Sequence, residues 1–143
     1  MGFGTIAVPA GSIGGYCQPE LVNAAHIINA GCDAGVGVHT QTIGVMTAMG
    51  ESGLVNLDYG DAAGADSRGL FQQRDNGAWG SLADRMDPYT AATNFFDARM
   101  RVPEWTSLTP TQAAHAVQAN ADPNYYTSYW SSAQTVVTAL ATG

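Results

Sequence analysis

The chain has 143 residues, 45% hydrophobic and only 12% charged, which suffices for one domain with a real core and excludes an intrinsically disordered chain. It contains no lysine, five arginines and a formal charge of −7, a balance that argues against a nucleic-acid-binding face, which needs basic side chains. No apolar run approaches the roughly 18–20 residues of a membrane span.

Residues 1–16 are apolar and glycine-rich, without a basic start or a convincing cleavage site, and read as a flexible linker or tail. Residues 17–143 read as a single domain. Cys17 and Cys32 leave two readings open: a disulfide tying the tail to the first helix, or two buried thiols. Their spacing is not that of zinc ligands. After Pro19, the residues Leu21, Ala24, Ala25 and Ile28 make one face of a helix that runs to Gly31, with Glu20 in its first turn. His26 within it reads as an ordinary structural histidine.

The stretch from Thr40 to Gly53 organises the rest. From Thr40 to Gly50 it carries no charge, so the spacing of Ile43, Met46 and Gly50, with Thr42, Val45 and Met49 alongside, predicts a helix inside the core. Glu51 follows at its C-terminal end, with Gly53 as the cap. The partial negative charge of a helix C-terminus favours cations, so a carboxyl there is expected to hold its proton more tightly. That is what a general acid requires. The plainer reading is an exposed glutamate that closes a helix before a turn.

Leu54 to Asp75 mixes Asp58, Asp61, Asp66 and Asp75 with glycines, a pattern of irregular loop or short hairpin. Its acids lack the calcium-loop pattern D-x-[DN]-x-[DN]-G. Gln72 and Gln73, beside Leu70 and Phe71, either line a cleft as amide donors and acceptors or face solvent from a half-buried strand. Trp79 is expected over the core or at a cleft rim. Asp87-Pro88, Thr109-Pro110 and Asp122-Pro123 each place a cap and a proline at a helix start. Five helices around one irregular segment make a mainly α domain. The last helix opens on Tyr125 and Tyr126, the part of its aromatic stripe nearest a turn.

The string from Ala48 to Gly53 resembles the E-S-G motif of the lytic transglycosylases and goose-type lysozymes, and Gly69-Leu70-Phe71-Gln72 resembles their G-L-M-Q motif. Glu51 to Asp61, Gly69 to Arg74 and Trp79-Gly80 look most like the lysozyme-like domains of actinobacterial wall enzymes and of tape-measure proteins in the tails of phages that infect those bacteria. Asp87 to Phe96 and Ala114 to Gln118 also fit that branch, so the resemblance spans roughly residues 18 to 140. Where the wider family carries A-Y-N-A-G-P, Gln118 stands in place of the tyrosine, which leaves Tyr125 or Tyr126 to steady the N-acetyl group of a substrate.

The resemblance implies a lysozyme-like fold and cleavage of the β-1,4 bond between N-acetylmuramic acid and N-acetylglucosamine in peptidoglycan. It implies Glu51 as general acid, then base, with Ser52, Gln72, Gln73, Tyr125 and Tyr126 binding the glycan strand, and neither metal nor organic cofactor. A single-acid transglycosylase forms a 1,6-anhydro product. A hydrolase would need a second carboxylate, for which Asp58, Asp61 and Asp66 are the candidates. A non-catalytic wall-binding or tail-structural domain is the competing class. The setting implied is extracellular, at the cell wall or in a phage tail, as part of a larger polypeptide.

Overall fold

The structure is a computed structural model that describes residues 8, 11–58, 67–73, 79–100 and 127–142. Among them the chain is mainly helical: α1 (Gln18–Asp33), α2 (Val38–Ser52), α3 (Leu82–Met86), α4 (Pro88–Met100) and α5 (Trp130–Thr142), the last preceded by a 3₁₀ turn at Thr127–Tyr129. None of these helices is long and apolar enough to cross a membrane.

The first two helices follow the apolar pattern of their sequence. At α1 the Glu20 carboxylate accepts a hydrogen bond from the Cys17 backbone N–H at 3.0 Å, satisfying a donor that the helix start would orphan. The face formed by Leu21, Ala24, Ala25, Ile27, Ile28, Ala30 and Gly31 is buried, while His26 is exposed. At α2 every residue from Thr40 to Gly50 is buried, as expected of a helix without charges. Two of its buried hydroxyls are satisfied within the helix: Thr42 Oγ donates to the Val38 carbonyl and Thr47 Oγ to that of Ile43, both at 2.7 Å.

α2 therefore sits between α1, α4 and α5, and α1 also packs along α4. The approach is closest where glycine removes a side chain. A Cβ on Gly44 would lie 2.7 Å from Cζ of Phe96 and 3.1 Å from Cγ2 of Ile27. Phe96 cannot withdraw, because it is fully buried and lies edge-on to Phe95 at 5.5 Å between ring centroids. Phe95 in turn stacks on Phe71 at 5.0 Å. Gly44→Val gains at most about 1 kcal/mol of helix propensity. It adds a β-branched side chain where overpacking costs about 1–3 kcal/mol or more. The expected result is a net loss of stability, read as a lower urea midpoint with an unchanged slope.

Two expectations change here. The N-terminal segment joins the domain before residue 17. Ile13 and Tyr16 exchange backbone hydrogen bonds of 3.0 and 2.9 Å across Gly14 and Gly15, which both have positive φ. Val8, Ile13 and Tyr16 pack against the core. A Cβ on Gly14 would fall 3.5 Å from Cγ2 of Val136 on α5, so this turn lies on that helix rather than in a free linker. The cysteines fit neither reading, since both are exposed and not disulfide-bonded. Cys17 caps the start of α1 and Cys32 lies in its last turn. At about 1.5 Å per residue they are about 22 Å apart, far beyond the span of one disulfide. A thiol reagent added to the native, unreduced protein should titrate two equivalents; a count of zero would contradict this placement.

α3 was not marked by periodicity, being one turn and a half long. It is held by a reciprocal cap in which the Asp84 backbone N–H donates to Ser81 Oγ at 3.1 Å and the Ser81 N–H donates to the Asp84 carboxylate at 3.0 Å. The spacing Ser81-x-x-Asp84 was the readable signal. The helices expected from Thr109-Pro110 and the start expected at Asp122-Pro123 lie outside the described residues.

Candidate active site

Glu51 occupies the last turn of α2, half-buried, one residue before the helix ends at Ser52. The chain then reverses within two residues. Gly53 (φ 69°) is the left-handed cap, and its N–H bonds the Met49 carbonyl at 2.9 Å. Leu54 is also left-handed (φ 63°), yet its side chain is fully buried. After the reversal Asn56 reaches the Met86 carbonyl and Leu57 meets Gly69.

The second segment is a tight hairpin end. The Arg68 and Gln73 backbones exchange hydrogen bonds of 3.1 and 3.0 Å, and the Gly69 N–H donates to the Leu57 carbonyl at 2.7 Å. Gly69, Leu70, Phe71 and Gln72 form the loop between them, with Gln72 at φ 48°. Leu70 and Phe71 are buried in the core. Ser52 joins the two segments: its Oγ lies 2.7 Å from the Leu70 carbonyl and 3.1 Å from that of Ala48. The carboxyl of Glu51 is thus one residue from the point where the helix end is fastened to the loop.

This arrangement separates the two glutamines. Gln72 is half-buried, with Nε2 3.3 Å from the Gly69 carbonyl. Gln73 is 1% exposed and its Nε2 donates to the Ala91 carbonyl of α4 at 3.1 Å. Gln73 faces the core, and a side chain so enclosed presents no atom to a glycan. The half-buried strand with outward polar residues is also replaced, because this stretch is a turn and Gln73 points inward. Arg85, 5% exposed, reaches the Gln73 carbonyl at 3.4 Å and braces the same loop from α3. Neither its role nor that of Asn56, whose Nδ2 donates to the Met86 carbonyl at 2.6 Å, was marked by a sequence pattern.

Trp79 packs into the core, 9% exposed. Asp58 is on the surface, with its Oδ1 3.6 Å from Arg68 Nε and its side chain 79% exposed, a pair that contributes little. Asp61, Asp66, Tyr125 and Tyr126 lie outside the described residues, as does Gln118. Among the described residues no group of three or more His, Cys, Asp or Glu could hold a metal ion. His39, also exposed, lies edge-on to Trp130 at 5.5 Å between rings.

No protein-family model matches this chain, and no curated protein is detectably similar to it.

Proposed function

We propose that the chain is a lysozyme-like domain that cleaves the β-1,4 bond between N-acetylmuramic acid and N-acetylglucosamine in peptidoglycan, with Glu51 as its acid. The observation that carries this reading is the seating of Glu51. It is half-buried in the last turn of an uncharged core helix, and the Ser52 bond to Leu70 fastens that helix end to the second motif. A carboxyl fixed there is a proton donor at a set place, which general acid catalysis requires. The proton then goes to the leaving glycosidic oxygen as the bond breaks.

Chemistry with one acid fits best. In it the acetamido oxygen of the substrate assists departure at C1. The Glu51 carboxylate next removes the proton of the 6-hydroxyl, whose oxygen closes the 1,6-anhydro ring. Asp58, the one candidate second carboxylate among the described residues, is solvated and paired with Arg68 rather than sheltered beside a reacting bond. Gln72, half-buried, is the proposed amide partner of the strand, while Ser52 acts by holding the helix end. Tyr125 and Tyr126 remain the proposed aromatic faces for sugar rings.

The test is mass spectrometry of muropeptides released from purified actinobacterial peptidoglycan. Products ending in 1,6-anhydro-muramic acid are expected. Reducing-end products would instead make the domain a hydrolase of the goose-type lysozyme kind and direct attention to Asp61 and Asp66. Binding to the wall without release would make it a wall-binding or tail-structural domain.

A further inference from the structure

We infer that Asn23, on α1, is a positioning residue for Glu51, acting through the reversed backbone that follows α2; this rests on the glycosidase reading above. Its Nδ2 donates to the Leu54 carbonyl at 2.8 Å, across 31 positions of sequence. Leu54 is one of two non-glycine residues with positive φ among the described residues. It is a branched residue with φ 63° immediately after Gly53 with φ 69°, and its side chain is fully buried. A left-handed leucine persists only where its surroundings over-determine it, and such residues cluster at functional sites.

Here the determinants can be named. The core holds the Leu54 side chain, and the Leu54 N–H reaches the Ala48 carbonyl at 3.4 Å. Asn23 holds the Leu54 carbonyl. On the other side, Ser52 Oγ is 2.7 Å from the Leu70 carbonyl. The chain just after Glu51 is therefore fastened twice, to α1 through Leu54 and Asn23 and to the loop through Ser52. Loss of the first attachment lets the reversal relax toward ordinary φ values. The turn carrying Glu51 then moves with it, without any change in the carboxyl group itself. Displacements of about 1 Å transmitted in this way cost up to about 100-fold in rate.

The test is steady-state kinetics on soluble, uncrosslinked glycan strands, with the parent, Asn23→Ala and Asn23→Asp compared well below their melting temperatures. Aspartate keeps the shape of asparagine but offers no donor to a carbonyl at neutral pH. Both variants are expected to lose about 10–100-fold in kcat with KM changed by less than about twofold, the signature of lost transition-state geometry rather than lost binding. Amide exchange at Gly53 and Leu54 is expected to quicken in both. An active parent whose folded Asn23→Asp variant keeps kcat, with only a lower Tm, would overturn the inference while leaving the glycosidase reading intact. Failure of both variants to fold would also overturn it, by making the contact a requirement of the whole fold. A parent that releases nothing would sink the glycosidase reading and this inference together.

Discussion

Glu51→Gln should lower glycan cleavage by about 10²–10⁴-fold, the usual contribution of a positioned general acid. The folded state should be unharmed. Glutamine has the size of glutamate and nearly the same helix propensity, so α2 loses no packing. The carboxylate also sits where the helix dipole opposes it, in a last turn that holds no basic residue. Removing the charge relieves that opposition, a contribution of about 0.3–1 kcal/mol. A variant that folds like the parent and is nearly inactive would identify a group kept for its chemistry. The assay pairs muropeptide release with thermal unfolding of parent and variant. Cleavage at the parent's rate would remove Glu51 from the mechanism. Equal losses of activity and folded protein would show a structural role instead.

The asymmetry between what the sequence conveys and what it withholds follows from the range of the interactions. The core helix was legible because eleven residues, Thr40 to Gly50, carry no charge, and Gly53 marks its end by a local backbone need. The first helix was legible from its apolar spacing and Glu20. The mainly helical class follows from such local signals.

The inward turn of Gln73 was not legible. Two adjacent glutamines are equivalent as a pattern, and what separates them is the left-handed φ of Gln72 together with a carbonyl of α4 eighteen positions away. The packing of Ile13 and Tyr16 was hidden likewise, because an apolar, glycine-rich stretch resembles a linker until α5 is laid beside it. The cysteines could have been read better from helix length alone, since both ends of one helix cannot meet. The link between Ser52 and Leu70, which unites the two motifs, is a long-range contact that no local spacing announces.

Gly69→Ala should be the most damaging single methyl in the described part of the site, and Gly53→Ala provides its control. Both glycines have positive φ, 82° and 69°, so alanine at either one meets the backbone penalty of about 1–2 kcal/mol. Around Gly53 the new Cβ has nothing within 4 Å. At Gly69 it would lie 2.0 Å from the Arg85 carbonyl oxygen and 3.3 Å from Asn56 Oδ1. The oxygen belongs to backbone, and it cannot swing aside as a side chain would. Arg85 is itself anchored, with its N–H bonded to the Ser81 carbonyl at 3.0 Å and its side chain buried against the Gln73 carbonyl. The hairpin loop must therefore move away from α3. That motion pulls Gly69 N–H from Leu57, Leu70 from Ser52 and Gln73 from Ala91. Strain of about 1–2 kcal/mol and overpacking of about 1–3 kcal/mol then add to the lost hydrogen bonds. The expected loss is at least about 3 kcal/mol, against a total stability of about 5–15 kcal/mol for a domain. Urea unfolding of the two variants should show Gly53→Ala within about 2 kcal/mol of the parent and Gly69→Ala well beyond it. Equal losses would mean that backbone conformation alone sets the cost and that the approach of the loop to Arg85 carries none of it.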